Sequence, residues 1–418
     1  MLIKMQVGEQ DRGELQVNVT DSDNAPIRDA RVTISEPETA INPNSPIERL
    51  ETDVSGQTQI VDLNTPPLEY SLNENNENMP YANYNIQIEV PGYETENIRN
   101  VEILPDSLSL QNVRMRKREG EQVENIDIDP HTLYAEYPEK IPEDEIKDVN
   151  EPGEIVLSRV VIPEYVVVHD GTPSSNARDY YVTYKDYIKN VASSEIYATW
   201  PRATIEANVL AIMSFTLNRV YTEWYRNKGY DFTITSSTAY DQKWIYGRNI
   251  FQSIDEVVDE IFDQYLSRPD VRQPILTQYC DGKRVTCPNW LSQWGSCNLG
   301  EQGFGTLEII RNYYGDDMYI NTAEAISGIP SSWPGYDLTI GSRGDKVRQI
   351  QQQLNRIAKD YPSLPTIAVD GVYGESTANA VRKFQNIFGL PQTGIVDYPT
   401  WYKISEIYVG VSRIAELN

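Results

Sequence analysis

Residues 184–201 read YKDYIKNVASSEIYATWP. Tyr184, Tyr187, Ile188, Val191 and Ala192 fall at i, i+3, i+4, i+7 and i+8, the spacing of one apolar helix face. The next step along that face is Glu195, while Lys185, Asp186 and Lys189 occupy the other side. The spacing therefore predicts a helix whose last turn aims a carboxylate into the core. Burying an ionised carboxylate without a partner is costly, so such a group tends to keep its proton. The partial negative charge of a helix C-terminus acts in the same direction. A carboxylic acid still protonated near neutral pH is what a general acid must be. Periodicity alone leaves two plainer uses open: a glutamate turned to solvent, or one paired with an arginine such as Arg202.

Helices continue downstream. Trp200 and Pro201 open a second one, where proline costs little because its missing N–H has no partner in the first turn. Ile205, Val209, Ile212, Met213, Leu217, Val220 and Trp224 give it an apolar stripe. Ser253 with Glu256 three later predicts a capping box for a third helix. Its buried face is expected to hold Val257, Val258, Ile261, Phe262, Tyr265 and Leu266. A fourth, TLEIIRNYYG at 306–315, is stopped by Gly315.

The whole chain has 418 residues, too many for one core. Its net charge of −26 is uneven: residues 1–152 hold 12 basic against 32 acidic residues, a balance of −20. That front repels phosphate backbones, so nucleic acid is excluded as the expected partner. No apolar run reaches the roughly 18 residues of a membrane span, and MLIKMQVGEQDRGEL lacks the apolar core of a signal peptide. There are two histidines, His131 and His169, where zinc hydrolases commonly spend two or three on the metal. His169, in YVVVHDGTP, reads as a polar residue at a strand end. Cys280, Cys287 and Cys297 make an odd count, which argues against a disulfide framework. Free buried thiols are the simplest reading, with a Cys280–Cys287 pair or a shared metal as alternatives. Neither cofactor nor metal is expected.

The expected class is multidomain α+β. Residues 1–115 read as an all-β sandwich: Leu15, Val17 and Val19 alternate, as do Val32 and Ile34, then Tyr84, Ile86, Ile88 and Val90, between the turns DSDNAP, TDVSG and VPGY. Residues 116–160 form an acidic segment, with eleven acids against Lys140 and Lys147 in 121–151. It reads as an extended linker, yet Ile126, Ile128, Leu133, Tyr134, Tyr137 and Ile141 would equally let it lie along a groove. Residues 161–325 form a central α+β unit, 326–336 a Pro/Gly/Ser linker, and 337–418 a three-helix unit. In that last unit Val347, Ile350, Leu354 and Ile357 make one stripe, and Ala380, Val381, Phe384, Ile387 and Phe388 another.

Several motifs carry resemblances. VNVTD, PIRDARVTI, TDVSG and YNIQIEVPGY (residues 17–93) resemble carboxypeptidase regulatory-like β-sandwiches, which are usually non-catalytic. DYIKNVASSEIYATWPRATIEANVLAIMSFTLNR (186–219) and WLSQWGSCNLGEQGFGTLEIIRNYYGDDMYI (290–320) resemble the stage II sporulation protein D family of peptidoglycan lytic transglycosylases. The resemblance puts the family's catalytic glutamate on Glu195. DQKWIYG (241–247) and QYCDGK (278–283) depart from the family pattern, and the second lacks the histidine that some members give to zinc. Gln242, Trp244, Ser292, Gln293 and Trp294 are the expected saccharide contacts, since rings stack on sugars and amides suit N-acetyl groups.

LTIGSRGDKVRQIQQQLNRI and VDGVYGESTANAVRKFQNIFGLPQTGIVDYPTW (338–401) resemble the three-helix peptidoglycan-binding domain, with Asp370, Tyr373, Gln385 and Trp401 as candidate groove residues. A wall-binding unit suits an insoluble, repetitive substrate, because a tethered catalytic unit works at high effective concentration.

The order of units resembles the prepro-forms of spore cortex-lytic enzymes of anaerobic endospore formers. That resemblance implies spore cortex peptidoglycan as substrate and synthesis in the mother cell without a classical signal peptide. It also implies removal of the front by a subtilisin-like protease at germination, expected near Val149, Asn150, Glu151, Pro152 and Gly153. Two rivals stay open: a hydrolytic muramidase or glucosaminidase, and a non-catalytic wall-binding protein of the spore coat.

Overall fold

The computed structural model describes residues 11–37, 45–118, 123–148, 157, 159–327 and 333–412. It is a mixed α+β structure. In the front, two sheets face each other across Leu15, Val17, Val19, Val32, Ile34, Ile86, Ile88 and Ile98. All but Ile98 are alternating positions read from the sequence, because successive side chains on a strand point to opposite faces.

Each front sheet takes an edge strand from outside residues 1–115. The five-stranded sheet runs Pro46–Glu51, Arg31–Ser35, Ala82–Glu89, Thr95–Ile103, Val123–Asp127. Its last strand comes from the acidic segment and runs parallel to Thr95–Arg99. The four-stranded sheet runs Ile250–Phe251, Leu108–Met115, Asp11–Asp21, Val61–Thr65. Here Ile250 and Phe251, from the central unit, pair antiparallel with Leu110 and Ser109. Front and centre therefore share a sheet.

A buried ion pair reinforces that seam. Arg248 Nη2 lies 2.6 Å from Glu102 Oε2, with the two side chains 0% and 1% exposed. Asn249 pairs with the Glu102 backbone, accepting from its N–H at 3.1 Å and donating to its carbonyl at 2.8 Å. Arg248 also donates to the Ser193 carbonyl, at 2.8 Å from Nη2 and 3.2 Å from Nε. The front thus grips the last turn of the helix Tyr184–Glu195.

That helix starts where the Asp186 N–H donates to Thr183 Oγ1, a side-chain N-cap. It packs on Arg202–Tyr221, a 20-residue helix buried nearly all round. The expected polar side of Tyr184–Glu195 is corrected by the structure: Lys185 and Lys189 are buried. Lys189 Nζ meets Asp255 at 2.6 Å and Asp259 at 2.8 Å; Lys185 Nζ meets Asp259 at 2.8 Å and Glu406 at 2.6 Å. A periodic pattern finds the apolar face but does not show that a second body covers the opposite one. That body is the helix Gln252–Ile261, which carries Asp255 and Asp259, joined by the helix Tyr398–Ser412, which carries Glu406 and adds Lys403 Nζ at 3.1 Å from Asp259.

The third helix, Gln252–Ile261, also departs from expectation. Ser253 is no cap; its hydroxyl donates to the Ala198 carbonyl at 3.1 Å, and Glu256 accepts from Gln252 Nε2. Tyr265 and Leu266 lie on the strand Gln264–Ser267, paired with Tyr319–Thr322. The fourth helix, Thr306–Tyr314, does stop at Gly315, whose positive φ suits glycine. The helices Asp345–Ile357, Glu375–Ile387 and Tyr398–Ser412 form the C-terminal unit around Val347, Ile350, Leu354, Val381 and Phe384. It also touches the front: Gln57 Nε2 donates to the Ile387 carbonyl at 2.7 Å.

Breaking a buried ion pair from one side leaves the other charge unpaired. Arg248→Ala is therefore expected to destabilise the full chain by about 3–5 kcal/mol, read by urea unfolding. Arg248→Met with Glu102→Leu removes both charges and is expected to recover most of that loss.

Candidate active site around Glu195

Glu195 closes its helix with no exposed surface. The Lys243 backbone N–H donates to Oε1 at 2.6 Å. Gln293 Nε2 donates to Oε2 at 3.2 Å and to the Glu195 carbonyl at 3.1 Å. Burial raises the carboxyl above the usual glutamate range; the Lys140 ammonium, the Lys243 N–H, Tyr279 and Gln293 pull it part of the way back. The arrangement gives a positioned acid in dry surroundings, with two donors ready for the anion it becomes.

The acidic segment closes the site. The Thr132 N–H donates to the Ser194 carbonyl at 3.0 Å, and His131 Nε2 lies 3.3 Å from the Ile196 carbonyl. These two contacts bracket Glu195. Lys243 Nζ pairs with Asp129 at 2.8 Å. Lys140 is buried; its Nζ donates to the Asp241 carbonyl at 2.8 Å and sits 4.5 Å from the centre of the Tyr279 ring. Burial lowers the Lys140 pKa, while the charges of Glu195 and Asp241 oppose that shift. Residues 128–148 are held against the central unit at these points, with Ile128, Leu133 and Tyr137 buried and Tyr134 and Ile141 exposed.

Among the expected saccharide contacts, Gln293 alone touches the carboxylate. Gln242 is spent on the core: its oxygen accepts from Tyr187 and Thr216 and its amide donates to the Ile212 carbonyl. Trp244 is buried against Tyr180 and Tyr246, and Trp294 against Trp200 and Tyr197. Ser292 caps the helix Gln293–Glu301 by accepting the Gly295 N–H at 3.0 Å. These four serve packing and turns, because aromatic and amide groups suit a protein core as readily as a sugar. Arg202 is no partner of Glu195; it pairs with Glu206 and Glu260.

In the C-terminal unit, Tyr373, Gln385 and Trp401 are fully buried and build the fold rather than a groove. Tyr373 donates to the Gly394 carbonyl, and Gln385 holds Thr393, Ile395 and Thr400. Asp370 is exposed and accepts from Gln351 and the Val372 N–H in a turn. Val149, Asn150, Glu151, Pro152 and Gly153 lie outside the described residues. His169 ends the strand Tyr165–His169 and pairs with Asp179 at 2.7 Å.

The cysteine reading is corrected. Cys280 and Cys287 form a disulfide, and Cys297 is the buried free thiol. The odd count misled because Cys297 is a core residue. No group of three metal-ligating side chains occurs among the described residues. Sequence reasoning missed Lys140, Tyr137 and the Lys243 N–H. Lys140 carried a signal, one of two cations in an acidic run; a backbone donor carries none.

Gln293→Leu removes a hydrogen bond that favours the carboxylate, so the Glu195 pKa is expected to rise further. Carboxyl infrared titration of the full chain, compared with Glu195→Gln to assign the band, checks this. An unchanged or lower midpoint would contradict the assigned donor role.

Residues 343–404 match the family model described as a putative peptidoglycan binding domain. The zinc D-Ala-D-Ala carboxypeptidase of Streptomyces albus G is 39% identical over 77 residues, 18% of this chain and 28% of that protein. N-acetylmuramoyl-L-alanine amidase CwlA of Bacillus subtilis (strain 168) is 46% identical over 52 residues, 12% of this chain and 19% of that protein. The chain thus spans less than a third of the length of either relative. Among solved structures, the SleB N-terminal domain is 30% identical, covers 18% of this chain and 99% of that one, and has a TM-score of 0.16. The match to a putative peptidoglycan binding domain falls on the C-terminal helical unit.

Proposed function

We propose that the chain is the inactive precursor of a peptidoglycan lytic transglycosylase acting on spore cortex during germination. The observation that carries this reading is Glu195: a carboxyl without exposed surface, raised above its ordinary range and held by two donors. Its position on the transglycosylase-like motif adds the reaction type.

In the first step Glu195 gives its proton to the glycosidic oxygen between N-acetylmuramic acid and N-acetylglucosamine. The C1–O bond breaks with oxocarbenium character at C1. In the second step the Glu195 carboxylate takes the proton of the muramyl C6 hydroxyl, whose oxygen bonds to C1. The products are a free 4-hydroxyl and a 1,6-anhydromuramyl end. The proton returns to Glu195 and no water is consumed, so one carboxyl serves both steps. Lys243 N–H and Gln293 stabilise the anion between them.

In the full chain this site is closed, with Tyr137 and Lys140 of the acidic segment beside it. Activation therefore requires displacing that segment, and a subtilisin-like protease cutting near 149–153 is the proposed trigger. The shared sheet and the Arg248–Glu102 pair favour retention of the front after the cut.

The test is product analysis on purified cortex, comparing the intact chain with the chain cut in 149–153. The expected result is activity from the cut form only, with anhydromuramyl ends by mass spectrometry. Glu195→Gln is expected to lose about 10²–10⁴-fold. Reducing ends would replace the transglycosylase with a hydrolase. Full activity in Glu195→Gln would remove the glutamate from the chemistry.

The raised carboxyl also has a stability consequence. Folded Glu195 binds its proton more tightly than the unfolded residue. Its stabilising share is complete below the unfolded pKa and is lost as pH rises through the folded value. Glu195→Gln is thus expected to raise Tm relative to the parent more at pH 8 than at pH 4.

A further inference from the structure

Residues 141–147 of the acidic segment, IPEDEIK, lie along the stretch Gln273–Gln278 in an extended, peptide-like fashion. Gln278 accepts the Glu143 N–H at 2.9 Å and donates to the Ile141 carbonyl at 2.8 Å. Gln273 accepts the Lys147 N–H at 3.0 Å and donates to the Lys147 carbonyl at 3.0 Å. Between them the Leu276 N–H donates to the Glu145 carbonyl at 2.9 Å.

Two guanidinium groups read the carboxylates. Arg219, whose side chain is 0% exposed, forks onto Glu143 at 3.0 Å from Nη1 and 2.5 Å from Nη2. Arg268 holds Glu145 through Nε and, at 2.9 Å, through Nη2. Planar two-point pairing of this kind selects carboxylates. Arg219 also binds Asp241 through Nε at 2.7 Å, so its fork is fixed by a group outside the acidic segment.

We infer that Arg219, Arg268, Gln273 and Gln278 form the binding site for the acidic peptide stem of muramic acid, with residues 141–147 as its built-in occupant. The inference rests on the proposed function, which supplies the removal of that occupant. A peptide stem offers the same groups, backbone amides and free carboxylates, and it hangs from the sugar whose bond is to be cut. The placement agrees: Gln278 precedes Tyr279, which borders Glu195, and Lys140, over that ring, precedes Ile141. Once the segment leaves, Arg219 keeps Asp241 on Nε, while its two Nη groups lose the carboxylate they forked onto and are open to another.

The test uses the chain cut in 149–153 and two glycans of equal length, one with stems and one stripped of them. The cut chain is expected to favour the stem-bearing glycan at least tenfold in kcat/KM. Arg268→Ala and, separately, Gln273→Leu are expected to bring that ratio toward one. Equal cleavage of both glycans by the parent overturns the inference and leaves the proposed function standing. Cleavage of neither overturns the proposed function, and binding then decides the inference. A fluorescent stem tetrapeptide should bind the cut chain, lose affinity with added salt, and fail to bind once its carboxylates are amidated. No binding, or displacement by an N-acetylglucosamine tetramer, overturns the site as a stem reader.

Discussion

Keeping one carboxyl dry is the constraint on which the rest of this structure depends. Glu195 sits where a helix ends, so its own backbone dipole disfavours the anion. Burial adds the larger effect. Neither would be tolerable without donors for the moment the proton leaves, and the Lys243 N–H and Gln293 supply them. The three come from separate parts of the chain, which only a tight core holds together. The almost wholly buried helix Arg202–Tyr221 is that core.

The front is part of the same construction. It shares a sheet with the centre through Ile250–Phe251, and Glu102 neutralises the arginine that holds the Ser193 carbonyl, two residues from Glu195. The acidic segment then runs over the carboxyl, presenting a lysine to it and carboxylates to the arginines beyond. Its charge is thus divided by position. Lys140 lies beside Glu195 and Asp241, and Glu143 and Glu145 lie against cations.

The C-terminal unit is no loosely tethered anchor. Asp259, buried in the centre, gathers Lys185, Lys189 and Lys403, and so binds the last helix to the helix of Glu195. The three lysines hold Asp259 far below its usual range against the opposing effect of burial. The C-terminal unit is thereby held at a set orientation to the Glu195 carboxyl.

The sequence by itself determined the alternating strands of the front, the helix that ends on Glu195, the stripes of the C-terminal helices and the mixed α+β class. Those features follow from local period, and a period of two or 3.6 is written in neighbouring residues. It also singled out Glu195, since one acid on an apolar face is a local anomaly. Tertiary structure alone decided what surrounds it. Lys185 and Lys189 are buried because a distant helix covers them, Ser253 turns from its cap to a carbonyl 55 residues away, and Cys280 finds Cys287. Gln242 and Trp244 go to the core while Gln293 reaches the carboxylate, although their residue types suited one role equally. Partners chosen across hundreds of residues depend on packing and on which charges must be neutralised together, and no local pattern encodes that choice.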